Sequence, residues 1–439
     1  MIRRVSCTSL FLCIIGFLTS ATSARAEVTL AKSENGFEFF SEGRVGGFFE
    51  GVMGNGLPQP FDANGNQRPV AGDGGIAIAG EPVPIGMPGS GALGQSKVLG
   101  TRVRSGFLSN ILAFGVRRQL TEQTSVKGYI SIWANIESEN ERKFTPIFPD
   151  AREGYVRIDG PAGSLLVGRS LTLFSRGATE IDFLYGHRYG VGSPAGFDAN
   201  GPSGGHVGYG VIANGFGAGI MYATPSFHGL MLTAGFYDPN RFVGLYWNRT
   251  KLGRPESELT YDVGLGSLGL LHLFVNGAFQ KVYASDSARN SSVWGVGGGG
   301  RIEISVLRLG VAGHYGQGLG FDYAFDGSNA VLEIGNTQQL RKFSGIYAQS
   351  MVALGRVDIS AGAGVTKVDR VPGDSIVDMN TGQVATSVLK QRLGISAAVV
   401  YHFSEYLHFD IDYFRASADW WLGEHQVVNT INSGMTLAW

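Results

Sequence analysis

Apolar side chains alternate with polar or small ones in stretch after stretch of this chain, and a repeat of two is the repeat of a β-strand. In Leu407-His408-Phe409-Asp410-Ile411-Asp412-Tyr413 the odd positions are apolar and the even ones polar. The pattern recurs in Val357-Asp358-Ile359-Ser360-Ala361-Gly362-Ala363-Gly364-Val365. Across 389–403, Leu389, Leu393, Ile395, Ala397, Val399, Tyr401 and Phe403 share one face, while Lys390, Arg392, Ser396 and His402 share the other. The polar side also carries many glycines and small residues, which make a poor hydrophobic core. One apolar and one polar or small face suits a sheet with lipid on one side and water on the other. A backbone in lipid must satisfy its own hydrogen bonds, so such a sheet has to close into a barrel.

Composition supports lipid contact without helices. Charged residues are only 16% of the 439, and glycine reaches 67 with no collagen period. A helical span needs ~20 apolar residues in a row, and no such run follows residue 20.

Residues 1–26 read as a cleaved signal peptide, with Arg3 and Arg4 at the start, an apolar stretch from Leu10 to Leu18 and an Ala24-Arg25-Ala26 cleavage site. Both cysteines, Cys7 and Cys13, lie in it. The mature chain, 27–439, is then one domain with no disulfide, no thiol nucleophile and no thiolate metal site. Taking Arg3, Arg4 and Arg25 from the 35 basic residues leaves 32 against 36 acidic ones, a net charge of −4. That balance does not suit a nucleic-acid binder.

Connections alternate in length. Short turns are expected near 120–122, 161–163, 225–228, 266–269, 304–306, 354–356 and 403–406. Longer loops rich in Gly and Asp are expected near 55–96, 140–149, 172–204, 238–257, 284–291, 318–342, 369–387 and 422–426. Seven turns and eight loops predict an all-β, transmembrane antiparallel barrel of about sixteen strands. Near the end, Ile431, Ser433, Met435, Leu437 and Trp439 share one face. A terminal aromatic preceded by alternating apolar residues resembles the signal read by the outer-membrane barrel assembly machinery, so Met435, Leu437 and Trp439 are the candidate assembly residues.

Other motifs carry less. Gly295-Val296-Gly297-Gly298-Gly299-Gly300 fits G-x-G-x-x-G, but it sits in a strand-like stretch without the βαβ setting of a nucleotide site. Its glycines are expected to allow curvature or close packing against a neighbouring barrel. The eight histidines show no metal motif; His187 and Arg188 fall in the third long loop. Asp410 and Asp412 are expected as wetted lumen residues, and Asp322 to Gly327 as a hydrated loop. No cofactor and no metal are expected, and no enzymatic activity.

Several segments resemble general Gram-negative porins. The start, Glu27-Val28, then Asn35-Gly36 and Gly43-Arg44-Val45-Gly46, is similar to their first strand. Arg152-Glu153-Gly154-Tyr155-Val156, followed by Gly163 and Val167-Gly168-Arg169, resembles the hairpin before their third loop. Tyr222-Ala223-Thr224-Pro225-Ser226-Phe227-His228-Gly229-Leu230 resembles a later periplasmic turn. The resemblance implies an outer-membrane location, a sixteen-stranded barrel, a homotrimer, contact with outer-membrane lipids and lipopolysaccharide, and a third loop folded into the lumen. It also implies a constriction with basic wall residues facing acidic loop residues. Arg44 and Arg169 match the basic positions, with one or more of Arg102, Arg104 and Arg117 nearby. Glu180, Asp182 and Asp198 would supply the acidic side. The loop lacks the family's usual Pro-Glu-Phe-Gly-Gly-Asp run. The function implied is passive diffusion of small hydrophilic solutes and ions. Alternatives are a substrate-specific uptake channel using Phe183, Tyr185 and Tyr189, and a barrel enzyme or adhesin.

Overall fold

A computed structural model of the chain describes residues 27–55, 97–105, 110–134, 150–183, 205–240, 252–283, 290–325, 331–334, 337–372, 374, 388–421 and 423–439. The proposed signal peptide and most of the first long loop lie outside these residues.

Sixteen antiparallel staves close on themselves. They are β1 (Glu38–Asn55), β2 (Lys97–Arg104 continued by Asn110–Thr121), β3 (Thr124–Ala134), β4 (Asp150–Gly160), β5 (Gly163–Leu171), β6 (Phe216–Ala223), β7 (Leu230–Tyr237) and β8 (Arg254–Gly264). There follow β9 (Gly269–Tyr283), β10 (Asn290–Ile304), β11 (Leu307–Gln317), β12 (Lys342–Leu354), β13 (Val357–Val368), β14 (Leu389–His402), β15 (Leu407–Trp420) and β16 (His425–Ala438). Each pairs with the next, and β16 pairs with β1 from Arg44↔Ala438 to Gly54↔Val428. A short N-terminal strand, Val28–Lys32, pairs with Glu38 to Ser41 and fills the part of the β1 edge that β16 leaves open. Both flanks of β1 are therefore shared. On the other flank the two pieces of β2 pair with Phe48–Asn55 and Glu38–Arg44.

Alternation sets which way each side chain points. On β1, Val45, Phe49 and Met53 are exposed on the outer face, while Phe40, Phe48, Glu50 and Val52 are buried inside. The same split runs round the barrel, and outward residues such as Leu99, Ile130, Val156, Ile220, Val275, Val311, Ile346 and Ile411 form an apolar belt. Water would pay heavily for that surface, whereas lipid does not. Each of the seven short turns expected from sequence joins a strand pair, and the long connections alternate with them. The sixteen-strand reading therefore holds. One face assignment does not. A bulge between Leu389 and Gln391 shifts the register there, so Leu389 is buried and Lys390 is exposed over the Trp421 ring. One extra residue reverses the faces before it, and alternation alone does not reveal it.

The β6–β7 turn shows why one glycine is needed. His228 and Gly229 both have positive φ, at 50° and 87°. A Cβ on Gly229 would run into the Asp262 carbonyl oxygen of β8. Gly229→Ala should therefore destabilise the barrel by roughly 1–3 kcal/mol. Urea unfolding in lipid vesicles measures this, and an unchanged midpoint would remove the turn constraint.

Candidate functional site

The site is the lumen and the two loops that enter it. After β5 the chain turns inward, and its entry and return are tied by the Thr172 N–H donating to the Gly215 carbonyl at 2.9 Å. Helix α1 (Arg176–Ile181) packs inside the barrel against β9, β10 and β11. Two buried carboxylates of β8 hold it there. Glu256 Oε2 accepts from the N–H groups of Leu173 and Phe174 at 2.7 and 2.8 Å. Glu258 binds the Arg176 guanidinium through Oε1 and the Gly177 N–H through Oε2, the latter at 3.1 Å. From the adjoining β12, Tyr347 Oη donates to the Ala178 carbonyl at 2.5 Å, and Gln349 Nε2 donates to that of Ile181 at 2.8 Å.

Glycines make the seat for this helix. The Gly177 position lies against the Phe274 ring, and the space of a Cβ on Gly295 is taken by Phe174 and Leu319. Gly295, Gly297 and Gly299 point into the lumen by the alternation of β10. Of these, Gly295 makes room for the inward loops, a role other than the curvature or packing between barrels expected of the run, while Gly297 and Gly299 lie close against β9 and β11.

The returning part of the loop crosses to β12–β14. Asp182 Oδ2 accepts from the His206 N–H at 2.9 Å and lies 3.1 Å from His206 Nδ1. His206 Nε2 lies 3.2 Å from Ser396 Oγ, and the ring stacks on Tyr347. Carboxylate, imidazole and hydroxyl in line resemble a nucleophile–base arrangement. Asp182 and His206 are 0% exposed and Ser396 3%, so no substrate reaches them, and their role is to fasten the loop. These three residues are far apart in sequence, and no local motif marks them.

A second loop joins the first. Residues 318–325, after β11, lie inside the barrel: the Ala213 N–H donates to Asp322 O at 2.8 Å, and the Ala324 N–H donates to Ala213 O at 3.1 Å. Asp322 pairs with Arg392 at 2.7 Å. The stretch read as a hydrated loop is therefore partly a lumen element. Phe174, Tyr209, Leu319, Phe321, Phe325, Phe343 and Phe414 form an apolar core around this junction.

The residues expected at the constriction do not all meet there. Arg44 lies on the lumen parity of β1. Glu180 lies on α1 with its carboxylate partly exposed, 3.8 Å from Arg176. Asp182 is consumed by His206 and does not face solutes, a correction to its role. Arg169 is also corrected. It shares parity with Leu165 and Val167, both exposed outward, and pairs with Gly154 and Ala218 on the same outer face. Its Nε donates to the Arg152 carbonyl at 3.0 Å. Arg117 points inward but is held by Glu27 and by Glu38, the latter at 2.8 Å, toward the short-turn end. The backbones of Arg102 and Arg104 lie opposite Glu50 and Phe48. Asp198, Tyr185, Tyr189, His187 and Arg188 lie outside the described residues, and Phe183 is buried. Asp410 and Asp412 do point inward, but they are 0% and 4% exposed rather than wetted, and Asn432 Nδ2 donates to Asp412 at 2.6 Å.

Partly exposed charges line the lumen toward the short turns, including Lys127, Arg157, Asp159, Glu303 and Arg308. A polar, charged inner wall inside an apolar outer belt, narrowed by an inward third loop, is the arrangement of a water-filled transmembrane channel. Its fold is that of the outer-membrane porins. The solved outer-membrane channel DcaP of Acinetobacter baumannii superposes with a TM-score of 0.64 at 11% identity, covering 94% of this chain and 100% of that one. An anion-selective porin from Comamonas acidovorans gives 0.55 at 14% identity, covering 92% and 100%. Salmonella typhi OmpF, in complex with daunomycin, gives 0.53 at 10% identity, covering 94% and 100%. No family model matches the chain, and no curated protein matches it in sequence. The likeness to these porins is thus one of shape, at identities where sequence carries little.

Proposed function

We propose that the chain is an outer-membrane porin of a Gram-negative bacterium, a channel for passive diffusion of small hydrophilic solutes and ions. The observation that carries this is the third loop, docked through α1 against the inner wall of a closed barrel whose lumen is charged. In this reading the short turns face the periplasm, the barrel assembles as a homotrimer in contact with outer-membrane lipids and lipopolysaccharide, and residues 1–26 are removed on export. Met435 and Leu437, exposed on the outer face, and Trp439 present the assembly signal. The fold gives no support for enzymatic activity, and the buried Asp182–His206–Ser396 chain argues against hydrolysis there. A substrate-specific channel is the second reading, favoured by the stitching of two loops inside one lumen, and saturable block of conductance by one solute would establish it.

Charge in the lumen sets ion preference, because charges closer than the ~8 Å screening length still act on a passing ion. Arg44 supplies positive charge, with Arg102 and Arg104 as further candidates on the adjoining strand; Glu180 supplies negative charge, with Asp198 as its loop companion. In planar bilayers under a salt gradient, Arg44→Gln should shift the reversal potential toward cation preference and Glu180→Gln toward anion preference. Arg169→Gln, on the outer face, should leave it unchanged. If Arg44 and Glu180 variants both behave as wild type, these residues do not form the selectivity region.

A further inference from the structure

We propose that His402 and His408 form a binding site for one divalent transition-metal ion at the short-turn mouth of the barrel. The two residues are direct cross-strand partners where β14 ends and β15 begins. Both share the inward parity of Val400 and Asp410. Their Nδ1 atoms lie 2.8 Å apart, with the rings nearly perpendicular at 85°. A zinc-class ion bonded at ~2.0–2.1 Å to each of two imidazole nitrogens needs those atoms only slightly further apart, which small ring rotations provide. In the metal-free state one Nδ1–H occupies the position that the ion would take.

The surroundings orient the pair for ligation. Asp358 Oδ2 lies 3.1 Å from His402 Nε2. A carboxylate there keeps the proton on Nε2 and turns the Nδ1 lone pair toward His408, as carboxylates do behind metal-bound imidazoles. His408 then needs only to carry its proton on Nε2. Access exists, because His402 and Asp358 line a cavity of about 520 Å³ together with Arg308, Arg356 and Glu405. The two guanidiniums oppose a cation, and Asp358, Glu405 and Glu303 offset them; Glu303 lies 3.4 Å from Arg308. Among the described residues no group of three His, Cys, Asp or Glu is placed to hold a metal. The site therefore offers two imidazoles, with water completing the shell, and imidazole chemistry selects zinc, nickel and copper over magnesium and calcium.

Titration calorimetry of the full folded chain in detergent at pH 7.5, with ZnCl2 and with NiCl2, should show one saturable ion per chain. Binding should weaken as the pH falls, because an imidazole nitrogen must be unprotonated to ligate the ion. His402→Asn and His408→Asn should each abolish it. Asp358→Asn should weaken it by about tenfold to a hundredfold. His425→Ala, an exposed histidine beyond β15, should bind as wild type. Electron paramagnetic resonance of the wild-type protein with one equivalent of Cu²⁺ should show two coordinating nitrogens, a readout that survives if a variant fails to fold. No saturable binding, undiminished binding in His408→Asn, or a copper spectrum with fewer than two nitrogens would overturn the proposal. None of these readouts depends on whether the barrel conducts.

Discussion

A chain lacking Gly434–Trp439 should fail to reach the folded barrel. The missing residues supply the partners of β1 from Arg44 to Phe48, and the Trp439 backbone exchanges hydrogen bonds with Gly43 at 2.7 and 2.9 Å. Their loss opens an edge on β1 and another on β15, where Leu407 to Asp410 pair with Leu437 to Gly434. An unsatisfied backbone group in hydrocarbon costs several kcal/mol, and this deletion exposes a row of them. Refolding into lipid vesicles, followed by the mobility shift between unheated and boiled samples, measures closure. Trp439→Ala should be milder, because the exchanged bonds are made by backbone and only the indole packed on Gly43 is lost. A deletion variant with the wild-type shift would show that β16 does not close the barrel.

Glu258→Ala should release the third loop. Arg176 is largely buried and its guanidinium is held by Glu258, whose other oxygen receives the Gly177 N–H. Removing one partner of a buried ion pair costs about 3–5 kcal/mol, and Glu180, 3.8 Å from Arg176 with its carboxylate partly in water, offsets only part of that. The barrel wall does not depend on that contact, so the cost falls on docking of α1. Single-channel conductance should rise as the lumen widens, and the segment around Arg176 should become open to trypsin. Glu258→Gln, which keeps hydrogen-bonding capacity, should fall between. Wild-type conductance and wild-type cleavage together would show that α1 is not held by this pair.

How much of this was legible in the sequence follows from the range of each interaction. Alternation is local, so strand faces, the seven turns and the strand count were readable from neighbouring residues. The bulge at Leu389 was not, since a single inserted residue leaves hydrophobicity unchanged while reversing direction. Arg169 matches a family position by its Gly-Arg dipeptide, yet its parity with Leu165 and Val167 places it on the outer face. The docking of α1 rests on pairs such as Arg176 with Glu258 and Asp182 with His206, whose partners come from other elements. Gly295, Gly297 and Gly299 are the trace of that contact visible in the sequence, because a stretch of strand with no inward side chains leaves room for something else.

The shared flanks of β1 bear on the order of events in folding. Its first residues pair with Val28–Lys32, only a short loop away, whereas Arg44 to Gly54 pair with residues at the opposite extreme of the chain. The loop closed by that second pairing is nearly the whole polypeptide, the largest entropic cost in the molecule and the contact that forms most slowly. The N-terminal strand needs no such wait. It covers the first part of the β1 edge, which β16 does not reach, through a contact local in sequence, so that stretch of edge is closed independently of the long-range pairing.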